Sequence, residues 1–317
     1  MVRKVSILIP CYNSAPYLAA TIQSAINQTW PSKEIIIVDD GSADGSYEIA
    51  KSFERDFITV LQQPNSGACR ARNAAFEKST GDYIQYLDAD DLLSPSKIEQ
   101  QLQVTHGDIN TVASCAWDKF YTSPGEATFP ASPVYKNYGL PLDMLLDMWM
   151  KRKMMQTSVW LTPRSLIQKA GPWNEQLAIN QDGEFFCRVL LAAQSVLFSA
   201  GAKVFYRSGI AGSISKAAPS EKKASSLLKS FELYEHEVSK HEISSRTKQA
   251  LAMNYYAFIY EYYTLYPGLV QKAIAKVKNW GIGPPPGIGG KNFNRLAGWF
   301  GFYNALRLRN TFNSKSI

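Results

Sequence analysis

Tyr83-Ile84-Gln85-Tyr86-Leu87-Asp88-Ala89-Asp90-Asp91 reads as a short apolar strand that runs straight into a cluster of carboxylates. The same pattern recurs on its N-terminal side. Val5–Ile9 is a strand and Pro16–Gln28 a helix. Glu34–Val38 is β-branched and reads as a buried strand, followed by a helix over Asp44–Glu54 with Asp44 or Ser46 near its N-cap. Ile58–Gln62 is a third strand and Ala68–Lys78 a third helix, with Tyr83–Leu87 as the fourth strand. Strands alternating with helices predict βαβ units, hence an α/β fold with a mostly parallel sheet and right-handed crossovers. Ligands of such sheets bind beyond the carboxyl ends of the strands. The loops to inspect are therefore Pro10-Cys11-Tyr12-Asn13, Asp39-Asp40-Gly41-Ser42, Pro64-Asn65-Ser66-Gly67 and Asp88-Ala89-Asp90-Asp91.

Each loop has a chemical reading and a plainer one. Carboxylates two apart in a tight loop can hold Mg²⁺ or Mn²⁺ through oxygen, with substrate phosphates completing the shell. The plainer reading of Asp88 and Asp90 is a solvated turn capping the helix that starts near Ser94-Pro95. Asp40 after a strand can accept from a base N–H or ribose hydroxyls, although Asp, Gly and Ser also simply favour turns. Gly67-Ala68-Cys69-Arg70-Ala71-Arg72-Asn73 opens a helix whose free N–H groups and arginines suit phosphate or nucleobase contacts. Exposed arginines on a solvated face are the alternative. No G-x-x-x-x-G-K-[ST] loop occurs, and no G-x-G-x-x-G follows the first strand, which argues against those NTPases and dinucleotide enzymes.

Taken in order, Pro10-Cys11-Tyr12-Asn13, Val38-Asp39-Asp40-Gly41-Ser42, Asn65 to Asn73 and Leu87-Asp88-Ala89-Asp90-Asp91 to Pro95 resemble the inverting family 2 glycosyltransferases with the GT-A fold, a Rossmann-like arrangement. The resemblance runs more loosely to about Ser215. It implies that Pro10 and Tyr12 lie along the nucleotide base and that Asp40 pairs with that base, uracil by the family's habit. By the same resemblance Gly67 and Arg72 belong to the donor site, with Arg72 near the base. Asp88 and Ala89 approach the donor, and Asp90 binds the divalent cation, Mn²⁺ or Mg²⁺, that bridges the diphosphate. Asp91 orients the loop. The family's catalytic base sits in a Glu-Asp pair opening a helix. Here Gly171-Pro172-Trp173-Asn174-Glu175 is followed by Asn180-Gln181-Asp182-Gly183-Glu184, so Asp182 matches the base and Gln181 replaces the usual Glu. An ordinary N-cap is the plain reading of Asp182, and Glu184 is a second candidate base. The stretch Lys203-Val204-Phe205-Tyr206-Arg207 with Ser213-Ile214-Ser215 resembles the end of the family's catalytic region, a loop that closes over the donor.

The implied reaction transfers a single sugar from a nucleotide sugar, a UDP-sugar on the family's pattern, to a hydroxyl of a glycan or lipid-linked acceptor. The Q-x-x-R-W motif of the family's processive synthases is missing. Competing readings are a sugar nucleotidyltransferase, which lacks its Gly-rich basic loop here, and a catalytically silent nucleotide-sugar-binding scaffold. Nucleic-acid binding has no recognised motif.

Charge is distributed unevenly. Of 34 Lys and Arg, eight lie in residues 268–317, which hold no Asp or Glu; the other 267 residues carry 26 basic groups against 27 acidic, net −1. Such a segment seeks an anionic partner, and peripheral contact with the inner face of a membrane is one expectation. No signal peptide or transmembrane run is legible, which points to a cytoplasmic protein. Four scattered cysteines read as reduced thiols. A GT-A domain over 1–215 and a helical, basic extension over 216–317 are expected, divided by the small, polar linker Gly209–Pro219. Within the extension, Asn292–Arg309 is expected to form one amphipathic helix with Leu296, Trp299, Phe300, Phe302 and Leu306 on its apolar side. Trp117, Trp160 and Trp173 are expected in the core, and His106, His236 and His241 on the surface.

Overall fold

The computed structural model describes residues 2–210 and 218–313. Ser213, Ile214, Ser215 and the expected boundary beside them lie outside the described residues. The chain separates into two compact units. One comprises Met1–Met144, Met154–Glu175 and Gln181–Ser213, the other Leu145–Lys153, Gln176–Asn180 and Ile214–Ile317.

The first unit is built on a five-stranded sheet. Strands β1 (Val5–Cys11), β2 (Lys33–Asp39), β3 (Ile58–Gln62) and β4 (Tyr83–Tyr86) are parallel, and β7 (Thr162–Pro163) joins antiparallel, in the order β3-β2-β1-β4-β7. The connecting helices are α1 (Ala15–Ile26), α2 (Ser46–Ser52) and α3 (Ala68–Lys78). This is the expected GT-A arrangement. All residues of β1 are buried, as a parallel strand covered on both faces requires. β1 also runs two residues further than the apolar pattern suggested, through Pro10. Leu8 and Pro10 face the same side of the strand, and the Leu8 carbonyl accepts from Leu87 N–H at 2.9 Å. β4 pairs with β1 only from Val5 to Leu8. The donor that Pro10 lacks would thus point past the end of β4, so the ladder loses nothing.

A second sheet of three strands follows the acidic loop. β5 (Leu92–Leu93) is antiparallel to β8 (Ser195–Arg207), and β6 (Thr111–Phe120) is parallel to it. Helices α4 (Lys97–Thr105), α5 (Pro141–Met150), α6 (Arg164–Ala170) and α7 (Gln181–Ala192) complete this stretch. Trp160 and Trp173 are buried, as expected; Trp117 is only half-buried, edge-on to Tyr206. The four cysteines are buried and none forms a disulfide.

The second unit carries α8 (Glu221–Ser239), α9 (Ser245–Tyr262), α10 (Pro267–Asn279), α11 (Lys291–Phe300) and α12 (Phe302–Asn313). Ser220 caps α8 by accepting from Lys223 N–H, and Ser244 with Thr247 forms a capping box on α9. The single helix expected over Asn292–Arg309 is instead two. Gly301 adopts φ +79° and ends α11. A left-handed glycine is a standard helix stop. The break separates the presumed apolar side into two fates: Phe302 and Leu306 are buried, whereas Trp299 and Phe300 are exposed. His106, His236 and His241 are all on the surface.

Lys97, at the start of α4, is fully buried and donates to Gln85 Oε1 with no carboxylate beside it. Burial pushes its ammonium down to about 7 from 10.5. Between those values the unfolded chain holds a proton that the folded chain has released, so this group's contribution to stability rises with pH. Denaturant unfolding of wild type and Lys97→Met at pH 7 and 9 is expected to favour wild type progressively, by up to about 1.4 kcal/mol per pH unit. A constant difference would mean that Lys97 stays charged in the fold.

Candidate active site

The four loops meet as the sheet topology dictates, and side chains tie each to the next. Asn13, at φ 45°, donates its N–H to Ser42 Oγ at 3.0 Å, and its Oδ1 accepts from Ala43 N–H at 2.9 Å. Ser14 N–H donates to Ser46 Oγ at 2.8 Å. Tyr12 is left 52% exposed at this rim, available to a planar ligand.

Asp40 links the second loop to the third. Only 3% exposed, it accepts from Gln63 Nε2 at 2.7 Å, Ser66 N–H at 2.8 Å and Gly67 N–H at 2.8 Å. Gly41 lies against the same loop at φ +74°, where a Cβ would come within 2.8 Å of Asn65 N. Only glycine fits that approach. Its neighbour Asp39 is buried, accepts from Ser42 N–H at 3.1 Å and Gln62 Nε2 at 3.2 Å on Oδ2, and leaves Oδ1 without a partner.

The acidic loop holds three carboxylates in four residues, each with a different environment. Asp88 is bound by Arg72 at 2.7 Å. That guanidinium is buried and stacks 4.5 Å over the Trp173 ring, which in turn lies 4.0 Å from Phe185. Asp91 is fully buried; it accepts from Arg207 N–H at 2.9 Å and from Gln156 Nε2 at 2.5 Å. Burial and the two neighbouring carboxylates still push it well above the usual range. Asp90 receives no hydrogen bond from another residue's side chain among the described residues. Burial and the adjacent Asp88 push it up to about 6. The loop's backbone is held as well: Thr21 Oγ1 donates to the carbonyls of Ala89 and Asp91 at 2.9 Å each, and Arg207 Nε donates to the Asp90 carbonyl at 2.9 Å. Arg207 is itself clamped between the rings of Tyr17 and Phe120.

Asp182 opens α7 and accepts from Gly183 N–H. Burial raises its carboxyl above the ordinary value, with the Arg72 cation opposing and Asp88 adding to the rise. The base candidate and the acidic loop therefore share one electrostatic environment. Glu184 has a different position. It is buried in a bidentate pair with Arg188 at 2.7 and 2.9 Å, and Arg188 also binds the carbonyls of Ala170, Gly171 and Pro172. Glu184 thus braces the turn before α7 and is committed to that pair.

Several of these supports had no sequence signal. Thr21, Gln156 and the backbone N–H of Arg207 come from distant segments. Asn73 was visible only as part of a motif; its amide clamps Trp173 in both directions, at 2.9 and 3.1 Å, and reaches Glu175 at 2.9 Å.

Among the described residues, no group of three or more His, Cys, Asp or Glu is arranged to hold a metal ion. The donor set fits a hard cation of the other kind, one that takes one or two carboxylates and fills its shell from substrate phosphates. Asp90 is the carboxylate in the loop that lacks a compensating partner, and a divalent ion beside it would relieve the crowding with Asp88.

Residues 6–167 match the family model "Glycosyl transferase family 2". The chain belongs to that family. It is similar to the uncharacterized glycosyltransferase YibD of Escherichia coli (strain K12), 39% identical over 125 residues, and to a cholesterol galactosyltransferase of Borreliella burgdorferi, 42% identical over 98 residues. These matches span 39% and 30% of the chain, and 36% and 27% of those two proteins. Among solved structures, TarS 1–349 of S. aureus superposes with a TM-score of 0.68 at 17% identity, over 86% of this chain and 80% of that one. The same protein has been solved with UDP-GlcNAc; that structure superposes with a TM-score of 0.63 at 17% identity, over 87% of this chain and 88% of that one. At this identity the likeness establishes the GT-A fold.

Asp40 supplies the test of how the loops are joined. Asp40→Ala is expected to destabilise the protein by about 2–4 kcal/mol, since it removes three hydrogen bonds to a buried charge. Urea unfolding measures this; a loss under about 0.5 kcal/mol, the range of an ordinary surface change, would mean that Asp40 does not hold the third loop.

Proposed function

We propose that the protein transfers one sugar from a nucleotide sugar, a UDP-sugar, to a hydroxyl of a glycan or lipid-linked acceptor, with inversion at the anomeric carbon. The observation that carries this is the acidic loop, in which Arg72 pairs with Asp88, Gln156 and the Arg207 N–H hydrogen-bond Asp91, and Asp90 is left without a side-chain partner, while the base candidate Asp182 lies in the field of the same Arg72 and Asp88. The TarS structures with UDP-GlcNAc and UDP support a uridine donor for this fold. Catalysis resides in residues 1–215, and 216–317 form a basic helical extension.

In this reading Tyr12 and Pro10 lie along the base, and Asp40 and Gly67 present the rigid second and third loops to it. Arg72 holds Asp88 and Ala89 in place for the donor. Asp90 would hold a divalent cation, Mn²⁺ or Mg²⁺, which would supply charge neutralisation for the departing nucleoside diphosphate. Asp182 takes the proton of the acceptor hydroxyl as that oxygen bonds to the anomeric carbon from the face opposite the leaving group. A carboxylate whose pKa is raised by burial is a stronger base than an exposed one, which suits this role. The enzyme works in the cytoplasm. No helix among the described residues is long and apolar enough to cross a membrane.

A panel of nucleotide sugars with Mn²⁺ or Mg²⁺, read by release of nucleoside diphosphate, tests the reading. Turnover of one UDP-sugar is expected, abolished by chelation and in Asp90→Ala. Turnover that survives both would overturn the metal role. Asp182→Asn is expected to lower kcat by about 10²–10⁴-fold. In wild type, kcat is expected to fall as pH drops through the raised Asp182 pKa, because the base must be ionised. Full turnover by Asp182→Asn would assign the base elsewhere.

A further inference from the structure

The acid-free segment contains a helix, α11, with an exposed ridge. Lys291, Arg295 and Trp299 of α11 are spaced four apart, so they line one stripe of the helix. All three are exposed, Trp299 to 71%. Phe300 beside it is 51% exposed and meets the indole edge-on at 6.4 Å. Away from that stripe the helix is packed near its start, where Phe293 is buried against Tyr260 and Phe302, at 4.8 and 5.5 Å between ring centres, while Phe300, seven residues further along the same side, is left exposed at the C-terminal end. Trp299 and Phe300 are therefore large apolar side chains that packing within the unit leaves in water.

Their surroundings decide what would cover them. Lys291 occupies the first turn of α11, which has no acidic residue and no side-chain N-cap. A cation there opposes the helix dipole. Elsewhere in the acid-free segment, Lys272 and Lys278 of α10 and Arg307 of α12 are also exposed. No carboxylate occurs anywhere from residue 268 onward. An aromatic pair flanked by uncompensated cations matches the anionic headgroup layer of a bilayer, where indole rings rest at the interface and Lys and Arg meet lipid phosphates. The same charge opposes a second copy on this face, since a two-fold contact would bring Lys291 and Arg295 of both chains together.

We propose that the α11 ridge is a docking surface for an anionic lipid bilayer, with Trp299 and Phe300 entering the headgroup layer and Lys291 and Arg295 binding lipid phosphates. The inference concerns the helical unit and stands independently of the reaction.

Vesicle sedimentation of the full chain tests it, using phosphatidylcholine vesicles with and without phosphatidylglycerol. Wild type is expected to bind the anionic vesicles, less so as salt rises, and to leave pure phosphatidylcholine in solution. Lys291→Glu with Arg295→Glu is expected to weaken binding by about 25-fold or more, at roughly fivefold per cation lost. Trp299→Ser with Phe300→Ser is expected to weaken it by about tenfold or more. Both double variants are expected to melt like wild type and to turn over soluble donor unchanged, which keeps this test separate from that of the activity. Failure of wild type to bind anionic vesicles, or equal binding by the variants, would overturn the proposal. So would dimerisation, or tighter binding to duplex DNA, that disappears with Trp299 and Phe300.

Discussion

Three carboxylates within four residues at the end of a buried strand are an electrostatic problem that the rest of the first unit is arranged around. Asp88, Asp90 and Asp91 repel one another where water is scarce, and each ionised group in such a place needs a partner. Arg72 answers Asp88, and the Arg207 amide with Gln156 answers Asp91. The Asp90 carboxyl is left with only the fields of Arg207 and Arg72 to offset its burial and Asp88. The loop has hydrogen-bond partners for two of its three carboxylates and its backbone is held through Thr21 and Arg207, which leaves Asp90 for the proposed cation.

The same partners connect this loop to the base candidate Asp182. Arg72 touches Asp88, stacks on Trp173 and acts on the Asp182 carboxyl. Trp173 in turn is clamped by Asn73 from the same helix as Arg72. Helix α3 therefore positions both the acidic loop and the approach to α7. Glu184, the second base candidate, instead holds Arg188, which fastens the carbonyls of residues 170–172 at the end of α6 to α7.

The α/β fold was legible because its signals are local. Apolar runs of four or five residues alternate with helical periods, and each of the first four strands leads into a loop that carries Asp or Asn. The ligand-facing loops were legible for the same reason, since a parallel sheet puts every such loop at one edge. Partner choice was not legible. Gln156 and Asp91 are 65 residues apart, and Arg207 reaches Asp91 across 116 residues through a backbone amide that has no side-chain signature. The role of Glu184 was hidden because its partner Arg188 also lies on α7, in a spacing shared by many surface pairs. In the extension, the apolar periodicity of Asn292–Arg309 is genuine, yet one glycine at φ +79° divides it. Periodicity reports which residues are apolar, and the chain break decides which of them find a core.

In the proposed reading Asp90 is the carboxylate that would take up a divalent cation together with the donor diphosphate. Calorimetric titration of UDP, with Mn²⁺ and with chelator, tests it without needing the acceptor or the sugar. The account predicts that Mn²⁺ tightens UDP binding by about tenfold or more, and that Asp90→Asn removes that gain while still binding UDP weakly. Equal affinity with and without metal in wild type would contradict it.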